Sequence, residues 1–453
     1  MPKSNVSTSK MVSYGLSRHA ADGALPRRLF AVATLIWALD FKAQTSGAAA
    51  NFQGLLLIIY LGLFVGFSVS AGRTGIGAGA LWPLIVATVV FMIESSVVGL
   101  CFGQPLYPIV VNLVPIFLYV SASALTYMTL KASRANSRLF IDLLRWECIV
   151  FVGTHLFVVF FTRGAISADV SRFEVLSGAV IPSLSIIAVG LIQALTGIDV
   201  LILILSFMVS LLSVTRTLLV VLCAEIMSVF VIRPRILFKG STAKALTLGA
   251  CIIFLVLALD WVSGTHLADR WVQRTTVASR VGADPTALTR SAETHFMIES
   301  FASSPGSTFF GNGLAALTSL TGPDAMAAAR LVGWESVNLH SVGFGHENYA
   351  SILFVAGILG GGGLLIVQFL NGFQSVALIR RLQIPQANQN ESVVRIGTWG
   401  ALIVIGFIVD SFLTPTFGDR NTSLWYGIGT GMLYWAREEV KVLGITTALG
   451  VHD

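Results

Sequence analysis

Long apolar runs separated by short polar segments extend along nearly the whole chain and define its predicted elements. A helix that crosses the ~30 Å hydrocarbon layer of a membrane needs roughly 17–25 apolar residues, and runs of this length recur throughout the sequence. We therefore predict an all-α fold, a polytopic integral membrane helical bundle with about twelve transmembrane helices. The predicted spans cover residues 29–46, 51–70, 79–102, 106–129, 139–161, 174–195, 198–214, 217–232, 245–263, 348–371, 396–414 and 422–437.

The apolar pattern breaks in an informative way at two places. The run from 198 to 232 is much longer than one membrane crossing at the ~1.5 Å rise of a helix, so it is predicted to turn at residues 215–217. The segment 264–347 is by far the longest connection, and it contains its own helix start, with Asp284 as N-cap and Pro285 as the first helical residue. Because so long a connection in a compact protein is usually functional, we predict a long, partly helical loop outside the membrane.

The composition supports the membrane assignment and narrows the class of protein. Apolar residues make up 55% of the chain, charged residues make up only 11%, and the mean hydropathy is +0.80, which excludes a soluble globular protein. We attribute the formal net charge of +6 to membrane topology rather than to nucleic-acid binding. The four cysteines lie in apolar runs without CxxC or Cys/His spacing, so we predict no disulfide and no zinc site. We also expect no other metal and no cofactor.

Basic residues gather in alternate loops, and this bias predicts the orientation in the membrane. Six of the seven lysines fall in loops that are cytoplasmic when the N-terminus is placed inside, as the positive-inside rule requires. We predict one integral membrane domain, residues 27–442, with cytoplasmic tails at 1–26 and 443–453. The loop 264–347 is then periplasmic. The apolar stretch at 29–46 lacks a convincing cleavage site, so we interpret it as a weak first span rather than a signal peptide.

Three basic side chains fall on the predicted outer side, against the inward bias. Arg216 lies in an apolar setting, where an arginine is costly unless it reaches water, a partner or a ligand. Arg290 lies on the predicted loop helix. His346 lies where the loop re-enters the membrane, and it is a candidate base. A snorkelling arginine, a solvated loop arginine and a structural histidine are the alternative interpretations. His340 competes with His346 as the candidate base.

Other residues carry weaker signals. Asp410 lies near the predicted outer end of its span, where the simplest role is that of a counter-ion to an arginine. Glu225 and Glu94 would suit a midplane transport pathway. The glycines at 357–363 and 75–79 lack the Lys-Ser/Thr of a phosphate loop, so we predict that they allow close helix packing. The sequence has no Asp-x-Asp pair, which argues against a divalent metal holding a diphosphate.

Together these features resemble the O-antigen ligase and polysaccharide polymerase family of bacterial envelope glycosyltransferases. Three short motifs with the family's order, spacing and common sidedness carry the resemblance, over about residues 211–363. They are Thr215-Arg216 before an apolar helix, Arg290 with Pro305 and Phe310-Gly311-Asn312-Gly313, and His346 with Tyr349, Gly357 and Gly360. The chain departs from the family at Thr217, where Gly is common, and at Glu347, where Asn or Ser commonly follows the histidine.

The resemblance implies a metal-independent transfer of a glycan, with inversion at the sugar carbon, from a polyprenyl diphosphate to an acceptor hydroxyl at the outer face. It implies that Arg216 and Arg290 bind the diphosphate and that His346 takes the acceptor proton or orients the acceptor. The further residues expected to contact substrate are Tyr349, Asn348, His340 and Asp410.

Two classes of function remain open at this point. Within glycosyl transfer we favour a polymerase of repeat units of a secreted or surface polysaccharide in the bacterial inner membrane. A ligase that moves finished glycan onto a lipid-A-type core uses the same donor chemistry. A transporter or flippase for a lipid-linked glycan is the alternative from another class. The expected partners are the lipid-linked donor, the glycan acceptor, membrane lipids and other polysaccharide export proteins, but no nucleic acid.

Overall fold

The computed structural model describes most of the chain, and all structural statements below refer to the described part. The described residues are 24–40, 47–73, 75–163, 176–232, 234, 249–250, 269, 271–273, 276–277, 282–332, 344–382 and 391–448. His340 and nearly all of the predicted span 245–263 lie outside these residues, as do most of the two predicted tails.

The regular elements in these ranges are helical. A 3₁₀ turn, Ile36–Leu39, extends the first helix, and a π-helical segment, Gly357–Gly362, joins the helices Asn348–Ala356 and Gly363–Arg381. The α-helices in chain order are α1 (Ala24–Leu35), α2 (Gly47–Arg73), α3 (Trp82–Cys101), α4 (Leu106–Ala132), α5 (Ser137–Arg163), α6 (Val180–Ile192), α7 (Gly197–Leu212), α8 (Arg216–Ile232), α9 (Pro285–Ala302), α10 (Pro305–Phe310), α11 (Pro323–Val332), α12 (Asn348–Ala356), α13 (Gly363–Arg381), α14 (Glu391–Asp410) and α15 (Arg420–Ala448).

Several of these helices have the length and composition of membrane spans. Among the described residues, five helical segments are long and apolar enough to cross a membrane, and the apolar helices α6 and α7 are shorter. The five segments are Asn51–Gly72, Gly79–Cys101, Leu106–Ala132, Asn348–Arg381 and Glu391–Asp410. The described part of the chain is therefore all-helical with membrane-spanning character. At its end α15 continues to Ala448, into the predicted C-terminal tail.

Helix α15 packs along α4 and α14 in the centre of the bundle. Two glycines one turn apart allow its close approach to α4. A Cβ at Gly427 would lie 2.3 Å from the backbone oxygen of Tyr119, and a Cβ at Gly431 would lie 2.5 Å from that of Ser123. Such contacts between small residues stabilise helix pairs in lipid, where apolar burial alone gives little drive for association.

The glycines of the two glycine-rich runs differ in what they do. Gly357 has a φ of +56°, in the left-handed region that favours glycine, and a Cβ there would lie 2.3 Å from the backbone oxygen of Phe309. The predicted close packing is therefore confirmed at Gly357. The prediction is wrong for Gly363, Gly75, Gly77 and Gly79, where a Cβ would meet nothing within 4 Å. The last three lie in the connection between α2 and α3 rather than between helices.

The break at Gly357 leaves carbonyl groups at the end of α12 without helical partners. The segment after α10 supplies hydrogen-bond donors for these carbonyl groups. The backbone N–H groups of Asn312 and Gly313 donate to the carbonyl oxygens of Phe354 and Val355 at 2.8 and 2.9 Å. The long connection is thus hydrogen-bonded into the membrane-spanning part of the fold.

Four chain segments meet at one end of the bundle, which we call the site end: the α7–α8 turn, the start of α9, the residues before α12 and the end of α14. The same end contains a buried ion pair, in which Arg420 Nε donates to Asp40 Oδ2 at 2.7 Å and ties the end of the first helical segment to α15. A second charged cluster lies at the opposite end, where Arg145 and Arg395 both pair with the buried Asp199.

Candidate functional site

Arg216 is positioned by a tight turn between α7 and α8. The predicted reversal is confirmed, since α7 ends four residues before Arg216 begins α8. In this turn Val214 has a φ of +48°, which β-branched residues rarely adopt. Its buried side chain packs against Trp271, whose indole Nε1 donates to the backbone oxygen of Leu211 at 3.1 Å. Packing from the long loop therefore holds a strained turn in place.

Helix α9 begins beside this turn. Its predicted N-cap is confirmed, because Asp284 Oδ1 accepts the backbone N–H of Thr286 at 3.0 Å. The other oxygen, Oδ2, accepts from Arg216 Nη2 at 2.6 Å. Burial acts to raise the pKa of Asp284, but the hydrogen bond and charge of Arg216 outweigh burial and hold the pKa below its ordinary value. One ionised carboxylate thus joins the start of α8 to the start of α9.

Arg290 lies further along α9 within electrostatic range of the same groups. Burial lowers its pKa, and the charge of Arg216 lowers it further, whereas the carboxylates of Asp410, Asp284 and Glu293 act in the opposite direction. The buried Nε of Arg290 has no hydrogen-bond partner within the described ranges. Because an unmet donor on a buried cation is costly, this position would be stabilised by an anionic acceptor.

His346 is held by a buried carboxylate. Glu293 Oε2 accepts both the backbone N–H of His346 at 2.7 Å and its ring Nδ1 at 2.8 Å. The second oxygen of Glu293 accepts from Thr318 Oγ1 at 2.9 Å. A Cβ at Gly345 would lie 2.7 Å from the Glu293 carboxyl carbon, so the residue before His346 must be small. The Glu293 side chain is 5% exposed and the His346 side chain is 47% exposed.

The protonation of Glu293 determines which ring nitrogen of His346 is available. Burial acts to raise the pKa of Glu293, but the hydrogen bonds and charge of His346 outweigh it, so the pKa lies below its ordinary value of 4.5. An ionised carboxylate only accepts hydrogen bonds, so Nδ1 must carry the proton. In the neutral ring Nε2 then has the lone pair, which is the arrangement of a base oriented by an acid.

Arg290 and His346 line the same pocket. This pocket has a volume of about 200 Å³, and its remaining lining comes from one face of α9, at Pro285, Thr286 and Thr289. Ligand pockets generally measure roughly 300–1,000 Å³. The pocket is smaller than this range, so it could hold only the reacting part of a substrate, and the rest of a larger ligand would extend out of it.

Asp410 lies at the end of α14 and lines another pocket of about 110 Å³. Thr215 and Thr217 also line this pocket. The residue is 4% exposed, and its Oδ2 accepts from Thr414 Oγ1 at 2.5 Å. Its charge acts on Arg290. The predicted counter-ion role of Asp410 thus has electrostatic support toward Arg290.

The structure places Asn348 and Tyr349 inside the bundle. Asn348 is fully buried, its backbone N–H donates to the Ser411 oxygen at 3.0 Å, and its Oδ1 accepts from the Phe417 N–H at 3.1 Å. Tyr349 donates to the Ile408 oxygen at 2.9 Å and is 7% exposed. Both residues connect α12 to the end of α14, and neither lines the pocket of Arg290 and His346.

Glu347, which departs from the resembled family, has a clear local role. It is the N-cap of α12, and its carboxylate accepts the backbone N–H groups of Tyr349 and Ala350. A negative charge at a helix start interacts favourably with the helix dipole. The acid therefore fixes the start of the re-entry helix directly after His346.

The structure thus brings Arg216, Arg290, His346 and Asp410 together at the site end, while His340 lies outside the described residues. Two acids, Asp284 and Glu293, complete the group without having been assigned a role in the site from sequence. Asp284 was expected only as the N-cap of the loop helix. The i, i+3 spacing of Arg290 and Glu293 was the one available signal that they lie near a common face.

No protein-family model matches the chain, and no curated protein matches it. Within the described residues, no group of three or more histidine, cysteine or acidic side chains is arranged to hold a metal ion.

Proposed function

We propose that the chain transfers a glycan from a polyprenyl diphosphate to an acceptor hydroxyl, without a metal ion and with inversion at the sugar carbon. The observation that carries the proposal is the convergence of two guanidinium groups and an acid-oriented histidine from distant segments at one end of an apolar helical bundle. Within this reaction class we favour polymerisation of the repeat units of a secreted or surface polysaccharide.

The arginines would stabilise the leaving group. As the bond between the sugar carbon and the diphosphate oxygen breaks, its electron pair moves onto that oxygen, and preorganised cations stabilise the developing charge. Arg290 supports this role best, because its half-buried guanidinium has an Nε without a partner in the described part of the chain. Arg216 pairs with Asp284, so the diphosphate would share the guanidinium with that carboxylate or displace it.

His346 would act on the acceptor. Its Nε2 would take the proton of the acceptor hydroxyl as the oxygen attacks the sugar carbon on the face opposite the diphosphate. Glu293 would hold the ring and stabilise the imidazolium that results. Because the pocket of Arg290 and His346 is small, the lipid chain and most of both glycans would lie outside it.

The membrane placement belongs to the same proposal. We place the protein in the bacterial inner membrane with about twelve spans, both termini in the cytoplasm and the site end at the periplasmic face. The basic loops support this orientation. The partners would be the lipid-linked donor, the acceptor glycan, membrane lipids and other export proteins.

Two alternatives differ in what they require. A ligase would use the same arginines and histidine and differ only in taking a lipid-A-type core as acceptor. A transporter would use ionisable groups inside the bundle. Glu225 favours it, because this buried residue accepts from Ser185 Oγ at 2.6 Å with Oε1, while Oε2 lacks a partner among described residues.

The test uses purified protein in nanodiscs with a polyprenyl-diphosphate-linked glycan and a chelator. Elongated glycan on the carrier supports a polymerase, and glycan on a lipid-A-type core supports a ligase. In a parallel assay with protein in liposomes, movement of the donor across the liposome membrane without glycan transfer supports a transporter. Arg216→Ala and Arg290→Ala are each expected to reduce transfer by about 10²–10³-fold, the usual loss for a removed electrostatic donor.

A matched control comes from the same connection. Arg330 lies on α11, is exposed, and is not part of the site, so Arg330→Ala should leave transfer unchanged. Equal activity of Arg216→Ala, Arg290→Ala and Arg330→Ala in folded, membrane-inserted protein would remove the proposed diphosphate clamp.

A further inference from the structure

A second pocket lies at the end of the bundle away from the candidate site. Its volume is about 570 Å³, within the usual range of ligand pockets. It lies between the start of α3, the first two thirds of α13 and the second half of α15. The lining residues are Ala80, Pro83, Val367, Leu370, Gln374, Tyr434, Arg437, Glu438 and Lys441.

One side of this pocket is strongly basic. Arg437 and Lys441 line it, and Arg381 is near enough for its charge to act on Arg437. The single lining acid, Glu438, already interacts with another cation, since Lys131 Nζ lies 3.3 Å from its Oε1. The pocket therefore carries an excess of positive charge.

Arg437 has only neutral partners in the described ranges. Its Nη1 donates to Gln374 Oε1, and its guanidinium carbon lies 5.5 Å from the centroid of the Tyr434 ring. The amide and the ring orient the guanidinium without neutralising it. A half-buried guanidinium that is oriented but not neutralised is suited to bind an anion such as a phosphodiester.

The other side of the pocket is apolar and continues onto the surface of a membrane-spanning helix. Val367 and Leu370 lie on α13, within the candidate span Asn348–Arg381, and Leu370 is 48% exposed. Trp82, beside the lining residue Pro83, is 65% exposed, as is typical of aromatic residues at the membrane–water boundary. With α13 spanning the membrane, the cations would lie at headgroup level and the apolar wall would lie beside the acyl chains.

We propose that this pocket binds one anionic phospholipid, with the headgroup phosphate on Arg437 and Lys441 and an acyl chain along Val367 and Leu370. Basic pockets between membrane helices on the cytoplasmic side bind acidic headgroups, and the charge bias of the loops assigns this end to the cytoplasm. The site does not depend on the glycosyltransferase proposal, because it lies at the opposite end of the bundle and shares no residue with it.

The experiment measures lipid retention by delipidated, full-length protein in detergent, using native mass spectrometry. Phosphatidylglycerol and phosphatidylcholine with identical acyl chains are titrated separately, and thermal unfolding is followed in parallel with inorganic phosphate as a third arm. We expect one tightly retained phosphatidylglycerol and a rise in Tm with that lipid alone. Lys441→Gln and Arg437→Gln should each weaken retention about fivefold.

Arg138→Gln is the matched control, because Arg138 is an exposed arginine at the start of α5, away from the lining of the pocket, and it should retain the lipid as the unmodified protein does. Lys441 is exposed, so Lys441→Gln remains informative even if Arg437→Gln fails to fold. Equal retention of phosphatidylcholine, unchanged retention by Lys441→Gln, or an equal rise in Tm with inorganic phosphate would each overturn the assignment to an anionic lipid.

Discussion

Replacement of Glu293 by glutamine tests whether the acid acts on His346 or only fills space. Glutamine has nearly the same shape, and its amide oxygen can accept the two bonds that His346 donates to Oε2 at 2.7 and 2.8 Å. Its amide nitrogen would face Thr318 Oγ1, now 2.9 Å from Oε1, and this hydroxyl can accept as well as donate. The substitution therefore removes the charge and preserves the packing.

The expected decrease in kcat follows from the difference in strength between a charged and a neutral hydrogen bond. A bond to a charged group contributes about 1.5–3 kcal/mol and a neutral one about 0.5–1.5 kcal/mol, so the difference is about 1–2 kcal/mol. If His346 is protonated in the transition state, this difference appears in the barrier as a decrease of about 5- to 30-fold in kcat. The KM for the donor should change little, because Glu293 orients the base and the arginines bind the diphosphate.

The assay measures glycan transfer for Glu293→Gln and for the matched control Glu299→Gln, with donor and acceptor each varied in turn while the other is saturating. Glu299 lies on the same helix, but its side chain is 65% exposed, so this control should keep full activity. A folded Glu293→Gln variant with unchanged kcat would show that the carboxylate does not assist His346. A loss confined to donor KM would instead place Glu293 in diphosphate binding and refute the reasoning.

Three further predictions concern stability, each measured by thermal unfolding in detergent. Gly357→Ala should destabilise by at least about 2 kcal/mol, because its φ is positive and the new Cβ would lie 2.3 Å from a backbone oxygen, whereas Gly363→Ala, with nothing within 4 Å, should not. The lowered pKa of Glu293 means that its ionised form stabilises the fold above about pH 4.5 and that this stabilisation is lost as pH falls through the folded pKa. The stability difference between the unmodified protein and Glu293→Gln should therefore shrink on acidification, and a constant difference would contradict the assignment. Asp40→Ala removes the partner of a largely buried arginine and should cost about 3–5 kcal/mol, against at most about 1 kcal/mol for Lys131→Ala at a pair in which both side chains are exposed.

Sequence reasoning succeeded where the determining interactions are local. The N-cap Asp284 with Pro285 predicted the start of α9, and the excess length of one apolar run predicted the turn before Arg216. Both features depend on residues within a few positions of each other or on the thickness of a membrane. The break of the re-entry helix at Gly357 was not predicted, because it depends on the contact with Phe309.

The partners of the site residues could not be predicted, because tertiary packing decides them. Arg216 pairs with Asp284 from 68 positions away, and His346 pairs with Glu293 from 53 positions away. An acid on a helix has no local signature that identifies its distant partner. Asn348 shows the same limit from the other direction. The family resemblance implied that Asn348 contacts the substrate, but in the structure its side chain is buried in the bundle beside the end of α14.

The packing and the charge pattern agree on which loops share a side of the membrane. The predicted sides follow from the basic residues of the cytoplasmic loops and from the alternation of the predicted spans, without information on contacts. Among the described residues, Asp40–Arg420 and Arg216–Asp284 join segments predicted on the outer side, and Arg134–Glu439 and Arg145–Asp199 join segments predicted on the inner side. If any of these loops were on the wrong side, its ion pair would have to cross a hydrocarbon layer of ~30 Å, whereas the observed pairs lie within hydrogen-bonding distance. The two cationic regions, one for a diphosphate and one for a lipid headgroup, would therefore serve opposite leaflets.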